Sequence, residues 1–194
     1  MRVRPPLHVS VTRHDEKEQK LREFVRHHLV ASTDATAPVP GMLLVVARSA
    51  DSPVVKALAG LASEIQFAGY GLRIILAHLD NDALPEAWDR DMAGLRTEVR
   101  WARRPRLVEA HEQLVMSPTV CWIGDCMRRD PAKCDAFENY VEDCGEAAGC
   151  ATVSFERLWV VSEPIRRVAP AATVPSPEAI ASLEAPQPTI GTRH

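Results

Sequence analysis

Residues 111–130, HEQLVMSPTVCWIGDCMRRD, hold the residue types in this chain that could do chemistry together. His111 stands at the head of a short apolar run, Leu114-Val115-Met116. A second run, Val120-Cys121-Trp122-Ile123, follows across Ser117-Pro118-Thr119, residues of the kind that make a tight turn. That second run ends in Gly124-Asp125, then Cys126, Met127, Arg128 and Arg129. Asp130-Pro131 reads as a helix N-cap with proline in the first helical position. The pattern expected is strand, turn, strand, glycine crossing, helix. It sets a titratable ring beside a small, positively lined opening, and names no reaction by itself.

Arginines gather just upstream. Arg96, Arg100, Arg103, Arg104 and Arg106 fall close together, interrupted by Trp101. Guanidinium groups grip phosphate oxygens in pairs, and an aromatic ring among them can stack on a base. Arg103, Arg104 and Arg106 precede His111, while Arg128 and Arg129 follow the second run, so the group expected to line the opening has five members. The competing reading is a solvated basic face paired with Glu98, Glu109 and Glu112. By strand alternation Glu112 points away from His111.

Other constellations point less far. The five cysteines, Cys121, Cys126, Cys134, Cys144 and Cys150, form no CxxC pair and are odd in number. They read as reduced thiols rather than zinc ligands. Cys126 beside Arg128 and Arg129 could carry a lowered pKa, but no general base is placed for it. His78, Asp80 and Asp82 read as polar residues at a strand end. No metal and no cofactor is expected.

Composition sets the frame for these residues. The chain has 194 residues, 46% hydrophobic and 25% charged, with a net charge of −3. That is ordinary for a globular protein and gives no bulk attraction to nucleic acid or anionic lipid. No run is long and apolar enough for a membrane span, and the first twenty residues lack the apolar core of a secretory signal. A cytoplasmic location is the expectation.

The supporting elements follow from periodicity. Residues 1–12 read as an irregular arm. Leu21, Phe24, Val25, His28 and Leu29 then make one apolar stripe on a charged helix over 13–30, which is expected to pack on its own domain. Residues 31–40, ASTDATAPVP, read as a linker. The run 42–47 and the stretch LRIILAHL at 72–79 are expected as strands covered on both faces. Between them Ser52-Pro53 starts a helix with Val54, Leu58, Leu61, Ala62 and Ile65 buried, stopped at Gly69 or Gly71. A helix over 85–95 and a strand over 98–102 come next. Residues 130–141 and 154–161 are expected to be helices. From Ser162 onward the six prolines at 164, 170, 175, 177, 186 and 188 predict a disordered tail. Strands alternating with helices imply an α/β domain with a mixed, mostly parallel sheet. The divisions expected are 1–40 (arm, helix and linker), 41–162 (α/β domain) and 163–194 (tail).

Taken together, residues 43–140 resemble one half of the phospholipase D superfamily. The half-domain of that superfamily runs strand, helix, strand, helix, strand, then a strand opening with His-x-Lys, then one ending in Gly-Ser-x-Asn. Here 72–77 is similar to its second strand, 98–101 to its third, His111-Glu112-Gln113 to the motif strand, and 119–124 to the strand leading into the glycine. The resemblance implies a metal-independent chemistry. The histidine attacks phosphorus to form a phosphohistidine, a lysine two residues on neutralises the phosphate, and a second motif supplies the acid for the leaving group. His111 matches the nucleophile. Gln113 stands in place of the lysine, Pro118 near the expected aspartate, and Asp125-Cys126-Met127 in place of Ser-x-Asn. With one histidine motif per chain, a two-histidine site requires a homodimer.

The reading that follows is a phospholipase D-like half-domain, degenerate in its motif. It would hold a phosphate-bearing ligand or acidic partner through His111, Gln113, Gly124, Asp125 and the arginines, since losing the motif lysine and gaining the Asp125 carboxylate would together cost about a thousandfold or more in rate. The alternative is a phosphodiesterase or nuclease with His111 as nucleophile across a homodimer. A third is an assembly protein that recruits partners through helix 13–30 and the tail.

Overall fold

The continuous apolar run Met42–Ala47 becomes the central strand, β2, of a sheet covered on both sides. In the computed structural model, residues 7–11, 14–33, 41–80, 84–103, 110–128 and 136–165 are described. The element order is β1 (Leu7–Val11), α1 (His14–Thr33), β2, α2 (Pro53–Ala59), α3 (Ala62–Phe67), β3 (Gly71–Leu76), α4 (Trp88–Asp91), β4 (Thr97–Trp101), β5 (His111–Val115), β6 (Cys121–Cys126), β7 (Ala136–Val141), α5 (Gly145–Val161) and β8 (Glu163–Pro164). The sheet order is β1-β7-β6-β5-β2-β3-β4-β8. β2, β3 and β4 run parallel, and the remaining pairings are antiparallel.

Alternation along β2 divides the interior in two. Leu43, Val45 and Ala47 join the larger core with Leu21, Val25 and Leu29 of α1, Val54 and Leu58 of α2, and Trp122. Leu44 and Val46 join the smaller one beneath α5, with Phe155 and Trp159. Each such side chain contributes about 1.5–3 kcal/mol when fully removed from water. The stripe expected on the first helix is therefore spent on its own domain. α1 is also tied to α3 by Arg26, which donates to both Glu64 carboxylate oxygens at 3.0–3.2 Å.

Several expectations need correction. Leu7–Val11, read as part of an irregular arm, is an edge strand in register with β7. Residues 130–141 were expected to be helical after the Asp130-Pro131 cap; Ala136–Val141 is instead a strand between β1 and β6. The single helix expected over 53–69 breaks into α2 and α3 at Gly60, against which the Arg22 guanidinium packs. The helix expected over 85–95 shortens to four residues, and that over 154–161 starts earlier, at Gly145. The linker at 34–40 and the tail beyond Ile165 lie outside the described residues.

Candidate phosphate site at the sheet edge

β5 runs antiparallel to β2, pairing Val46 with Gln113, so its first residue lies beside the C-terminal end of a parallel strand. That end of an open α/β sheet is where ligands usually bind, because side chains and loops there leave the sheet without covering one another. Arg48, His78 and Arg103 follow the ends of β2, β3 and β4 on the same edge. His111 opens β5, and Cys126, its register partner, closes β6.

His111 is exposed, and its Nδ1 lies 2.9 Å from the Gly124 carbonyl oxygen. A carbonyl can only accept, so Nδ1 carries the proton and donates. In the neutral ring the lone pair is then on Nε2, and in the protonated ring Nε2 is a second N–H donor. The contact depends on an irregularity in the ladder. Gln113 pairs with Ile123 but His111 pairs with Cys126, so Gly124 and Asp125 both oppose Glu112. The glycine expected at a strand end thus sits inside β6, at a bulge. A side chain there would meet the Trp122 ring at 2.5 Å, which is why the position is held by glycine.

Glu112 points to the other face, as alternation predicts, and is buried. Its Oε1 accepts from the Arg48 backbone N–H at 3.1 Å, and its Oε2 lies 3.6 Å from Lys17 Nζ. Lys17 also pairs with the fully buried Glu138 at 2.7 Å and lies 5.2 Å from the Trp122 ring centre. Tyr140 donates its hydroxyl to Glu138 at 3.0 Å. Burial pushes the Glu138 carboxyl above the usual range, partly offset by Lys17, and the charge of nearby Asp125 adds to the rise. Burial and Glu138 likewise raise the Tyr140 phenol.

Gln113 is not brought to the site. It is buried, and its amide donates to the Ala151 carbonyl of α5 at 3.0 Å. The arginines divide. Arg96 lies against Met42 at the opposite end of the strands, and Arg100 ties down α5 by donating to the Trp159 carbonyl at 2.8 Å. Arg103 reaches the edge, lies 5.1 Å from the Trp101 ring centre and pairs with Glu163 at 3.6 Å. Arg128 is exposed beyond β6. Arg104, Arg106 and Arg129 lie outside the described residues. Arg48 and His78 are the residues at this edge that spacing in the sequence gave no reason to connect with His111.

Among the described residues no group of three His, Cys, Asp or Glu gathers in a way that could hold a metal ion. Two clefts lie elsewhere. One of about 650 Å³ follows the outer face of α5 past Gly149, Cys150 and Val153, and one of about 360 Å³ lies between Val30 of α1 and Phe67 of α3. No helix among the described residues is long and apolar enough to cross a membrane.

No known family pattern and no curated protein matches the sequence. Solved structures do match. TrmBL2, an archaeal chromatin protein with a novel mode of DNA binding, is 14% identical with a TM-score of 0.50, over 84% of this chain and 55% of that one. The chain therefore spans about half the length of that protein. NucT from Helicobacter pylori is 10% identical with a TM-score of 0.50, over 82% and 98%. Nuc from Salmonella typhimurium, described as a phospholipase D family member, is 12% identical with a TM-score of 0.48, over 84% and 100%. At these identities the likeness concerns the path of the backbone.

Proposed function

The chain has a phospholipase D-like fold, and on that frame we propose that it binds a phosphate-bearing ligand at the sheet edge around His111 without efficiently hydrolysing it. The observation that carries this reading is the fate of position 113. The family's phosphate-neutralising lysine is replaced by Gln113, whose amide is committed to the Ala151 carbonyl beneath α5. An exposed imidazole, which gains a second N–H donor at Nε2 when protonated, retains the means to hold an anion. It lacks the motif cation that lowers the barrier. On this reading residues 41–162 carry the site, flanked by 1–40 and 163–194. His111, Gly124, Asp125, Arg103, Arg104, Arg106, Arg128 and Arg129 surround the ligand, in a cytoplasmic homodimer. A nucleic-acid backbone is one ligand of this class, and TrmBL2 binds DNA.

A second reading is favoured by one specific contact. Because Nδ1 donates to Gly124, the neutral His111 ring presents its lone pair on Nε2, as a nucleophile attacking phosphorus must. A phosphodiesterase using His111 across a homodimer would follow. Hydrolysis of bis(p-nitrophenyl) phosphate with chelator present, wild type beside His111→Asn, separates the two. Equal background rates are expected, together with salt-sensitive binding of a single-stranded oligonucleotide by the wild type. Turnover that disappears in His111→Asn overturns the non-hydrolytic reading.

A further inference from the structure

Gln113 leaves the site without the cation its motif would supply, and a candidate to replace it comes from a neighbouring strand. We propose that Arg48 grips the phosphate beside His111; this rests on the phosphate-binding reading above and names the residue that performs it. Arg48 follows the last residue of β2, and its main chain is held from both sides. Its N–H donates to Glu112 Oε1 at 3.1 Å, and its carbonyl accepts the His78 N–H at 2.7 Å. Its side chain is half-buried, and Nη2 reaches to 3.5 Å from the Cys126 carbonyl on β6.

The sheet order fixes what that reach means. β5 lies between β2 and β6, so a side chain running from Arg48 to Cys126 crosses the end of β5. Cys126 is the register partner of His111. The guanidinium therefore contacts the residue that stands opposite His111 across the β5–β6 ladder.

Its pairing state points the same way. Arg22, Arg26, Arg73, Arg90 and Arg103 each have a carboxylate partner within 4.0 Å. Among the described residues no carboxylate pairs with the Arg48 guanidinium. A guanidinium has five N–H donors in a fork that matches two phosphate oxygens, and the long contact to Cys126 satisfies one of them weakly. The ligand class is therefore a phosphate oxygen pair carrying negative charge, gripped by Arg48 and accepting a hydrogen bond from His111 Nε2 when the ring is protonated.

The test uses the full chain and a fluorescein-labelled thymidine oligonucleotide of about ten nucleotides, with affinity measured at several salt concentrations. Arg48→Gln is expected to weaken binding by about tenfold or more while melting as the wild type does. It should also flatten the slope of log affinity against log salt by about 0.7, the share of one phosphate contact on a single strand. Arg48→Lys keeps the charge and loses the fork, so it should keep the slope while binding a few-fold more weakly; if Arg48→Gln fails to fold, this variant decides. Wild-type affinity and slope in either variant overturn Arg48 and leave the phosphate reading standing. Absence of oligonucleotide binding by the wild type overturns both.

Discussion

An imidazole that donates through Nδ1 to a backbone carbonyl is held in one tautomer, and its reactivity is concentrated on the other nitrogen. His111 is in that state although its partner is the Gly124 carbonyl and not a carboxylate. A carbonyl orients the ring as a carboxylate would, but it stabilises a positive charge on the ring less. Position 113 is the complementary case. A Gln113→Lys change restores the family's residue type but places an ammonium under α5, where the Gln113 amide now meets the Ala151 carbonyl. The expected outcome is a loss of about 3 kcal/mol or more in chemical denaturation, with no gain in phosphate affinity. A stable variant with improved affinity would mean that residue 113 reaches the ligand. The place of His111 at the start of a strand was legible in the sequence, because the apolar run after it and the glycine crossing beyond mark the strand pair. Arg48 was not, since its link to this strand runs through Glu112, 64 residues away, and only strand pairing brings them together.

At the level of elements, the buried set of Lys17, Glu112 and Glu138 joins α1, β5 and β7 on the face opposite α5. Two carboxylates share one ammonium, so removing the cation leaves uncompensated charge in the interior. Lys17→Met should cost about 3–5 kcal/mol in denaturant unfolding; a loss below about 1 kcal/mol would show that the cluster is solvated. Glu138 holds its proton more tightly folded than unfolded. Its contribution to stability is therefore full below the ordinary carboxylate range and declines as pH rises through the raised value. Glu138→Gln should flatten that decline in a series of unfolding curves. The same residue explains why β7 was misread as a helix. A glutamate in the interior breaks the apolar alternation that marks a strand, and the cap-like Asp130-Pro131 upstream favoured a helix over the same stretch. β2 and β3, built from unbroken apolar runs, were legible from that feature alone.

Across the whole molecule, the two cores on either side of the sheet let thiols report on its opening. Cys121 is fully buried; burial and the neighbouring Cys144 push its thiol up to about 11. Cys150 is exposed on α5. With a disulfide exchange reagent at pH 8, Cys150 should react at once, while Cys121 should react at a rate that tracks unfolding across a denaturant series. Fast, denaturant-independent labelling of Cys121 would mean that α5 lifts from the sheet locally. The α/β class and the sheet's parallel centre could be read from local pattern. The outer strands could not, because edge strands are short and their partners are remote: Leu7 pairs with Tyr140, and Val11 with Ala136. That pairing has a consequence during synthesis. As the chain emerges from the ribosome, β1 appears first but has no partner until β7 has followed it out. While the residues between them are made it is an unpaired segment, and β7 in turn presents an open edge until β1 docks. Closure of that side of the sheet thus waits for β7, and the ion set of α1, β5 and β7 can assemble only then.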